Sequence, residues 1–236
     1  AVSLDYIIGA SFLIRKECWE KVGFLPEDYF LYFEETDYCT QVLEAGYGEI
    51  PDLSKVRPNS DVVFVWNGTT SGTKVPHADW LDHDREGLVI CDATTAAFGM
   101  PLPYEKLDVV AFSWQKCLGR EAAHGMIALS PKAYKHLESY TPPWPVPFLF
   151  SLADNQVLRE KLFIGETLNT PSLLCVEDLL ITLDWADKLG GLQALHTKTQ
   201  DNARVIQDFA DQAGWLENLA KDPSTRSETI GPSSLI

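Results

Sequence analysis

Three polar features in the middle of the chain each follow a short apolar run that is typical of a β-strand. The turn WNGTTSG (66–72) follows the first run, Asp92 ends the second, and Lys116 follows the third. In open α/β sheets, ligands bind beyond the carboxyl ends of the strands. A threonine-rich turn, a carboxylate and a lysine could therefore converge on one ligand.

Such a set of side chains supports the chemistry of pyridoxal phosphate (PLP). A lysine amine is required because it forms an imine with the cofactor. A carboxylate beside the pyridine nitrogen keeps the ring protonated, and the protonated ring withdraws electrons from a substrate carbanion. Each residue alone has a more ordinary explanation, since a lysine after a strand is usually solvated and an aspartate there often forms a turn. Their order and spacing along the chain favour a joint site.

The elements that must position these residues form an alternation of strands and helices. Runs of β-branched and aromatic residues predict four strands, at 61–66, 88–92, 107–114 and 123–130. Because these runs are continuously apolar, we expect a sheet that is covered on both faces. The dipeptide SP at 130–131 predicts a helix N-cap followed by a proline in the first turn.

Proline and glycine divide the second half of the chain. Four prolines in TPPWPVPFLF (141–150) predict an extended or looped segment. The dipeptide TP at 170–171 predicts the start of a second helix, which should end at the two glycines 190–191. A third, amphipathic helix is expected at about 192–213.

The chain resembles the phosphoserine aminotransferase family in four segments that occur in the family's order: SDVVFVWNGTTSG, REGLVICDATTAAF, LDVVAFSWQKCLGREAAHGMIALSP and TLNTPSLLCVED. The resemblance runs from about residue 51 to about residue 229. It implies an α/β fold, namely part of the large domain of a class V, fold-type I aminotransferase, with a mainly parallel sheet and flanking helices. It also implies PLP-dependent transfer of an amino group between glutamate and 3-phosphohydroxypyruvate in serine biosynthesis, in the cytoplasm.

The resemblance assigns a role to each residue of the predicted site. Lys116 matches the lysine that holds PLP as a Schiff base, and Asp92 matches the partner of the pyridine nitrogen. Thr69 matches the threonine that contacts the ring oxygen O3′. Gln115 matches a ligand of the PLP phosphate.

Two further residues connect the predicted site to a second subunit. Asn169 and Thr170 match residues that reach the phosphate of the neighbouring subunit's cofactor, so the resemblance implies a homodimer. His124 lies in a motif that is similar to the family's, and the sequence assigns it no role.

A second resemblance covers the start of the chain. Residues 5–47, DYIIGASFLIRKECWEKVGFLPEDYFLYFEETDYCTQVLEAGY, resemble the later part of a family 2 glycosyltransferase domain. In that family an acid of the cluster matched by Glu34, Glu35 and Asp37 is the general base, and Glu35 stands where aspartate is usual. The alternative is that these acids occupy the first turn of a helix predicted at 34–45, where the helix dipole favours negative charge.

Together the two resemblances predict two segments. Residues 1–48 are expected to form a short α+β glycosyltransferase-like fragment, and residues 49–236 an aminotransferase large-domain fragment that is truncated at both ends. The polar, proline-containing segment PDLSKVRPNS (51–60) is the predicted linker. We expect such a chain to capture PLP weakly and to show little transamination. The alternatives are a sugar-transfer fragment that acts on a nucleotide sugar, and a non-catalytic chimeric product.

Composition excludes several other classes of function. The net charge of −15 argues against a nucleic-acid partner, and no apolar run approaches the length of a membrane span. The five cysteines are widely spaced and form no CxxC pair, which predicts reduced thiols in the cytoplasm rather than a disulfide framework. The segment HADWLDHD (77–84) fits no standard zinc spacing, so we expect an acidic surface loop and no metal site.

Overall fold

The computed structural model describes residues 20–21, 53–69, 72–231 and 233–235. The acidic cluster of Glu34, Glu35 and Asp37 and the helix predicted at 34–45 lie outside the described residues. The predicted glycosyltransferase-like fragment is therefore described only at residues 20–21, which are helical.

A four-stranded sheet forms the centre of the described structure. Its strands are neighbours in chain order: β1 (Val62–Val65), β2 (Val89–Asp92), β3 (Val109–Phe112) and β4 (Met126–Leu129). The first three strands are parallel, whereas β4 is antiparallel to β3. The four predicted strands and the mainly parallel sheet are thus confirmed. The carboxyl ends of the three parallel strands lie at the same edge of the sheet.

Only one face of the sheet is well covered within the described residues. In β1, Val62 and Phe64 are buried while Val63, between them, is 57% exposed. On the same face as Val63, Ile127 of β4 is 52% exposed, whereas Met126, 42% exposed, lies on the face of Phe64 in the last strand of the sheet. The prediction that both faces are covered is therefore wrong for this part of the chain. A continuous apolar run shows that each side chain is hydrophobic, and it does not distinguish one covered face from two.

The covered face packs against loops that follow the parallel strands. Buried residues of this core come from β1, β2 and β3 and from the segments between them: Val62, Phe64, Trp66, Leu81, Val89, Cys91, Ala93, Ala96, Met100, Leu102, Leu107 and Val110. A second, smaller core joins the segment after β3 to the long helices. It consists of Trp114, Leu118, Ala186 and Leu195. This second core holds the segment that contains Lys116 against the helices.

Three α-helices follow the sheet in the chain: α1 (Pro131–Ser139), α2 (Leu173–Leu189) and α3 (Gly191–Gln212). The predicted N-cap of α1 is confirmed, because the Ser130 side chain accepts a hydrogen bond from the Ala133 N–H. The α2 helix starts at Leu173, two residues after the predicted TP pair, and it ends at Gly190 as expected. Gly190 has a φ of 121°, a conformation that favours glycine.

Short elements complete the described structure. Strands β5 (Ala153–Asp154) and β6 (Val157–Leu158) form a hairpin, and β7 (Leu216–Asn218) pairs antiparallel with β8 (Ser233–Leu235). The predicted loop at 141–150 contains only the 3₁₀ helix Phe148–Phe150. Within the ranges that the structure describes, no helix is both long and apolar enough to cross a membrane.

Residues 53–60 of the segment predicted as a linker are described, and their end packs closely against the loop that precedes β2. Nη2 of the buried Arg85 donates to the backbone carbonyls of Arg57, at 3.0 Å, and Ser60, at 2.7 Å. Gly87 lies directly against this segment, because a Cβ on it would be 2.1 Å from the Ser60 carbonyl oxygen. The end of the 51–60 segment is therefore fixed to the loop that precedes β2.

Candidate functional site

The loops after β1 and β2 are joined at the carboxyl edge of the sheet. The backbone N–H of Trp66, just after β1, donates to the carbonyl of Asp92 at the end of β2 (2.9 Å). Thr69 then reaches across to the turn after β2, where its Oγ1 lies 3.2 Å from Oγ1 of the buried Thr95. Two of the three predicted polar features are therefore neighbours in space.

Asp92 has an exposed carboxylate at this edge. Its Oδ1 accepts a hydrogen bond from the backbone N–H of Thr94 (2.9 Å), so the side chain starts the turn that carries Thr95. This local contact is what a strand-end aspartate ordinarily makes. The charge of Asp92 also affects the neighbouring Cys91. Burial, and to a smaller extent this carboxylate, raise the pKa of the Cys91 thiol to about 12, while a hydrogen bond from the Trp66 backbone partly lowers it.

Lys116 and Gln115 line a cavity of about 460 Å³ beyond the end of β3. Its other walls come from the turn after β2, from Trp185 of α2, from α3 and from the segment 228–231. The polar lining includes Thr95, Lys198, Thr199, Asn202, Glu228 and Thr229. Neither Thr69 nor Asp92 is part of this lining, although Thr95 connects Thr69 to it.

The cavity fits a small phosphorylated ligand. Its volume lies within the range of about 300–1,000 Å³ that is typical of small-molecule sites. Two lysines, threonine hydroxyls and side-chain amides supply donors that suit an anionic group. Gln115 Oε1 and Glu228 Oε2 are buried and have no hydrogen-bond partner within the described residues, so the cavity also offers unused acceptors. The residues present therefore fit a phosphate-bearing cofactor such as PLP.

Cys117 borders the same cavity, next to Lys116 in the chain. Burial raises the pKa of its thiol, and a side-chain hydrogen bond with Thr199 partly offsets this rise. Cys117 is therefore mostly protonated near neutral pH, and its rate of alkylation reports how open the cavity is.

The residues predicted to face a second subunit lie elsewhere. Asn169 and Thr170 are exposed, they precede α2, and they do not line the Lys116 cavity. His124 contacts the same segment of the chain, because the backbone N–H of Ser172 donates to His124 Nε2 at 3.2 Å. The His124 ring also packs against Trp114, with centroids 5.2 Å apart. This histidine therefore fixes the segment that enters α2, a role that the sequence does not indicate.

The 77–84 segment makes local polar contacts, and its Ala78 carbonyl also accepts a hydrogen bond from Lys106 Nζ at 2.9 Å. The Asp79 N–H donates to His77 Nδ1 at 3.3 Å, and the Trp80 indole donates to the His77 carbonyl at 2.9 Å. In the ranges described here, no group of three or more histidine, cysteine, aspartate or glutamate side chains is placed to hold a metal ion.

Relatives of known type match most of the chain. A phosphoserine aminotransferase from Methanosarcina barkeri is 54% identical over 189 residues, which is 80% of this chain and 51% of the relative. The corresponding protein of Methanosarcina mazei is 53% identical over 190 residues, again 80% of this chain and 51% of the relative. The chain is homologous to phosphoserine aminotransferase. No family model matches it, and it spans about half the length of the curated relatives that it matches.

Solved structures show the same fold. A phosphoserine aminotransferase from Cytophaga hutchinsonii has a TM-score of 0.66 at 20% identity, covering 85% of this chain and 59% of that one. A PLP-bound phosphoserine aminotransferase from Trichomonas vaginalis has a TM-score of 0.58 at 16% identity, covering 86% of this chain and 56% of that one. The fold is therefore the α/β fold of fold-type I aminotransferases, with a mixed sheet and helices.

None of the relatives named above is a glycosyltransferase. The glycosyltransferase-like fragment at residues 1–48, the boundary at residue 49 and the general base among Glu34, Glu35 and Asp37 therefore stay predictions.

Sequence reasoning missed residues that connect the site. Thr95 and Asn67 both belong to motifs quoted for the resemblance, DATTAAF and WNGTTSG, and they carry no charge or periodic pattern that singles them out. The segment 227–229 was missed because it lies more than 150 residues from the loop that it contacts. Buried hydrogen bonds over such a separation leave no local sequence signal.

Proposed function

We propose that this chain is part of a PLP-dependent phosphoserine aminotransferase. The proposed reaction moves an amino group from glutamate to 3-phosphohydroxypyruvate, giving 2-oxoglutarate and phosphoserine, as a step of serine biosynthesis in the cytoplasm. The observation that carries the proposal is the position of Lys116, in a polar cavity beyond the carboxyl end of β3, in a chain 54% identical to phosphoserine aminotransferase over 189 residues.

PLP, when bound, supplies a protonated ring that withdraws electrons from the reacting carbon of the substrate. Lys116 would hold the cofactor through Nζ, and its amine would serve as the base that accepts the proton of the substrate Cα and as the acid that returns it. By the resemblance, Asp92 would keep the ring nitrogen protonated, Thr69 would contact O3′, and Gln115 would contact the phosphate. Lys198 supplies a second cation to the same cavity.

A homodimer is part of this proposal. Asn169 and Thr170 would reach the phosphate of the partner's cofactor, and both are exposed at the start of α2 rather than turned into their own chain's cavity. The nearby Leu173 and Leu174 are 72% and 74% exposed, so the same end of α2 presents apolar surface. Large apolar surface beside exposed polar groups is common at protein interfaces.

The test is formation of phosphoserine by the purified chain supplied with PLP, glutamate and 3-phosphohydroxypyruvate. We expect a low but measurable rate of product formation with the wild type, in line with the little transamination expected from the sequence, and none above background with Lys116→Ala. Pyruvate in place of 3-phosphohydroxypyruvate is the substrate control and should react much more slowly. Equal rates with both keto acids would contradict the proposed specificity, and turnover by Lys116→Ala would contradict the role of the lysine.

A further inference from the structure

A buried asparagine joins the first loop of the site to the far end of the chain. Asn67, which is 2% exposed, lies two residues before Thr69. Its Nδ2 donates to Oγ of the equally buried Ser227 at 2.9 Å and to Oγ1 of Thr229 at 3.0 Å. The two hydroxyl oxygens lie 3.1 Å apart, and the Thr229 N–H donates to Ser227 Oγ at 3.2 Å. One amide therefore holds both hydroxyls of this segment.

Backbone pairing aligns the same two segments on either side of this contact. The Ser227 N–H donates to the Gly72 carbonyl at 2.8 Å, and the Lys74 N–H donates to the Thr225 carbonyl at 2.6 Å. Nζ of Lys74 also pairs with Oε1 of Glu228 at 2.6 Å. The segment 225–229 is thus attached to the loop after β1 by backbone and side chains together.

The attached segment is also a wall of the Lys116 cavity. Glu228 and Thr229 are among its lining residues. The methyl Cγ2 of Thr229 lies directly against Gly99. A Cβ added to Gly99 would be 2.6 Å from this methyl group and 3.5 Å from Cβ of Cys117. Thr229 therefore packs into the space that the missing side chain of Gly99 leaves open, beside the cysteine that follows Lys116.

We propose that Asn67 is a positioning residue for the Lys116 cavity. It closes the cavity by holding the segment 227–229 against the loop that carries Thr69. Only the identity of the ligand, PLP, rests on the proposed function. The closure of the cavity depends on contacts between this chain's own residues. Loss of the Asn67 amide should release the wall, expose Cys117 and weaken retention of PLP, without acting on any reacting atom.

The first test needs no ligand and uses the alkylation rate of Cys117, followed by peptide mass spectrometry on the purified chain. We expect Asn67→Ala to raise this rate about tenfold, which corresponds to about 1.4 kcal/mol in favour of the open wall. Cys91, with 0% exposure and a pKa raised to about 12, is the internal reference and should stay unmodified. An unchanged Cys117 rate would overturn the proposal.

The matched control is Ser130→Ala, which destabilises the protein at the other end of the sheet. Ser130 caps α1 and donates from Oγ to Asp108 Oδ1 at 2.7 Å, just before β3 begins. We expect this variant to melt at a lower temperature and to keep the wild-type Cys117 rate within about twofold. If Ser130→Ala raised the rate as much as Asn67→Ala, the effect would be general loosening and the positioning role would be refuted.

Two other variants keep the test decisive if Asn67→Ala fails to fold. Thr229→Val removes one acceptor of Asn67 and preserves the shape of the side chain, and we expect a rise of about threefold in the Cys117 rate. Gly99→Ala displaces Thr229 sterically and should raise the rate without touching Asn67. Wild-type rates in both variants would overturn the proposal.

The second measurement is the dissociation constant of PLP from changes in cofactor absorbance. We expect Asn67→Ala to raise it about tenfold and Ser130→Ala to leave it unchanged. If the wild type retains PLP and Asn67→Ala retains it equally well, the positioning role fails while the proposed function stands. If the Cys117 rates change as expected and no protein retains PLP, the proposed function fails while the positioning role stands.

Discussion

Thr69 and Thr95 bring their hydroxyl oxygens to 3.2 Å from each other, although they belong to loops that follow different strands. Thr95 lines the Lys116 cavity and Thr69 does not. The contact is therefore a second direct link between the threonine-rich turn and the lysine cavity, beside that of Asn67 with Thr229. Thr95 orients the hydroxyl that we assign to the cofactor.

Replacement of Thr95 by valine tests this link. Thr95→Val keeps the side-chain shape and removes the hydroxyl, so Thr69 loses this hydrogen bond. A hydrogen bond of this kind contributes about 0.5–1.5 kcal/mol, which predicts a rise of about two- to tenfold in the dissociation constant of PLP. The control is Thr197→Val on the exposed face of α3, where the hydroxyl donates only to the Gln193 carbonyl. A PLP affinity that fell equally in both variants would contradict the role of Thr95.

Close packing at Gly87 predicts a large loss of stability on adding a single methyl group. In Gly87→Ala the new Cβ would lie 2.1 Å from the Ser60 carbonyl oxygen, a backbone atom that cannot move without displacing the segment that Arg85 holds. We expect a loss of about 2 kcal/mol or more in the free energy of unfolding, measured by urea denaturation. Gly125→Ala is the matched control, because its Cβ would meet nothing within 4 Å. Equal stability of the two variants would show that the 53–60 segment is not packed as described.

Burial of His196 predicts a specific dependence of stability on pH. Its ring is buried on α3, Nε2 has no partner within the described residues, and burial lowers its pKa. As pH falls, the unfolded chain therefore takes up a proton on this histidine before the folded chain does. The contribution of neutral His196 to the free energy of unfolding is complete above the ordinary pKa of about 6.5, and it is lost as pH falls through the pKa of the folded state. His196→Leu should show a shallower decline of urea midpoint between about pH 6.5 and 5 than the wild type. An identical decline would mean that His196 is solvated.

The parts of this fold that local patterns encode could be predicted from the sequence. Strand positions follow from β-branched runs, the start of α1 follows from the Ser130 cap and its proline, and the end of α2 follows from Gly190. The open face of the sheet could not be predicted, because the apolar runs that contain Val63 and Ile127 do not indicate what covers these side chains.

The candidate site, like the fold, has a part that could be predicted from the sequence and a part that could not. Lys116 and Gln115 follow a predicted strand and do line one cavity, as expected from the topology of α/β sheets. Asp92, in contrast, does not line this cavity, and one of its carboxylate oxygens accepts a hydrogen bond from the Thr94 N–H within its own turn. The walls of the cavity depend on Thr95 and on the pairing of Asn67 with Ser227, contacts made by uncharged side chains across long separations, which no periodicity or spacing reveals.

The most direct measurement is covalent labelling of Lys116 by PLP. The purified chain is incubated with PLP, reduced with borohydride and mapped by peptide mass spectrometry, with Lys198→Ala as the control because Lys198 lines the same cavity. We expect the label on Lys116 in the wild type and in Lys198→Ala, and we expect Lys116→Ala to lose both the label and the absorbance of the bound cofactor. Label on Lys198 or on surface lysines, with Lys116 unmodified, would contradict the assignment of Lys116.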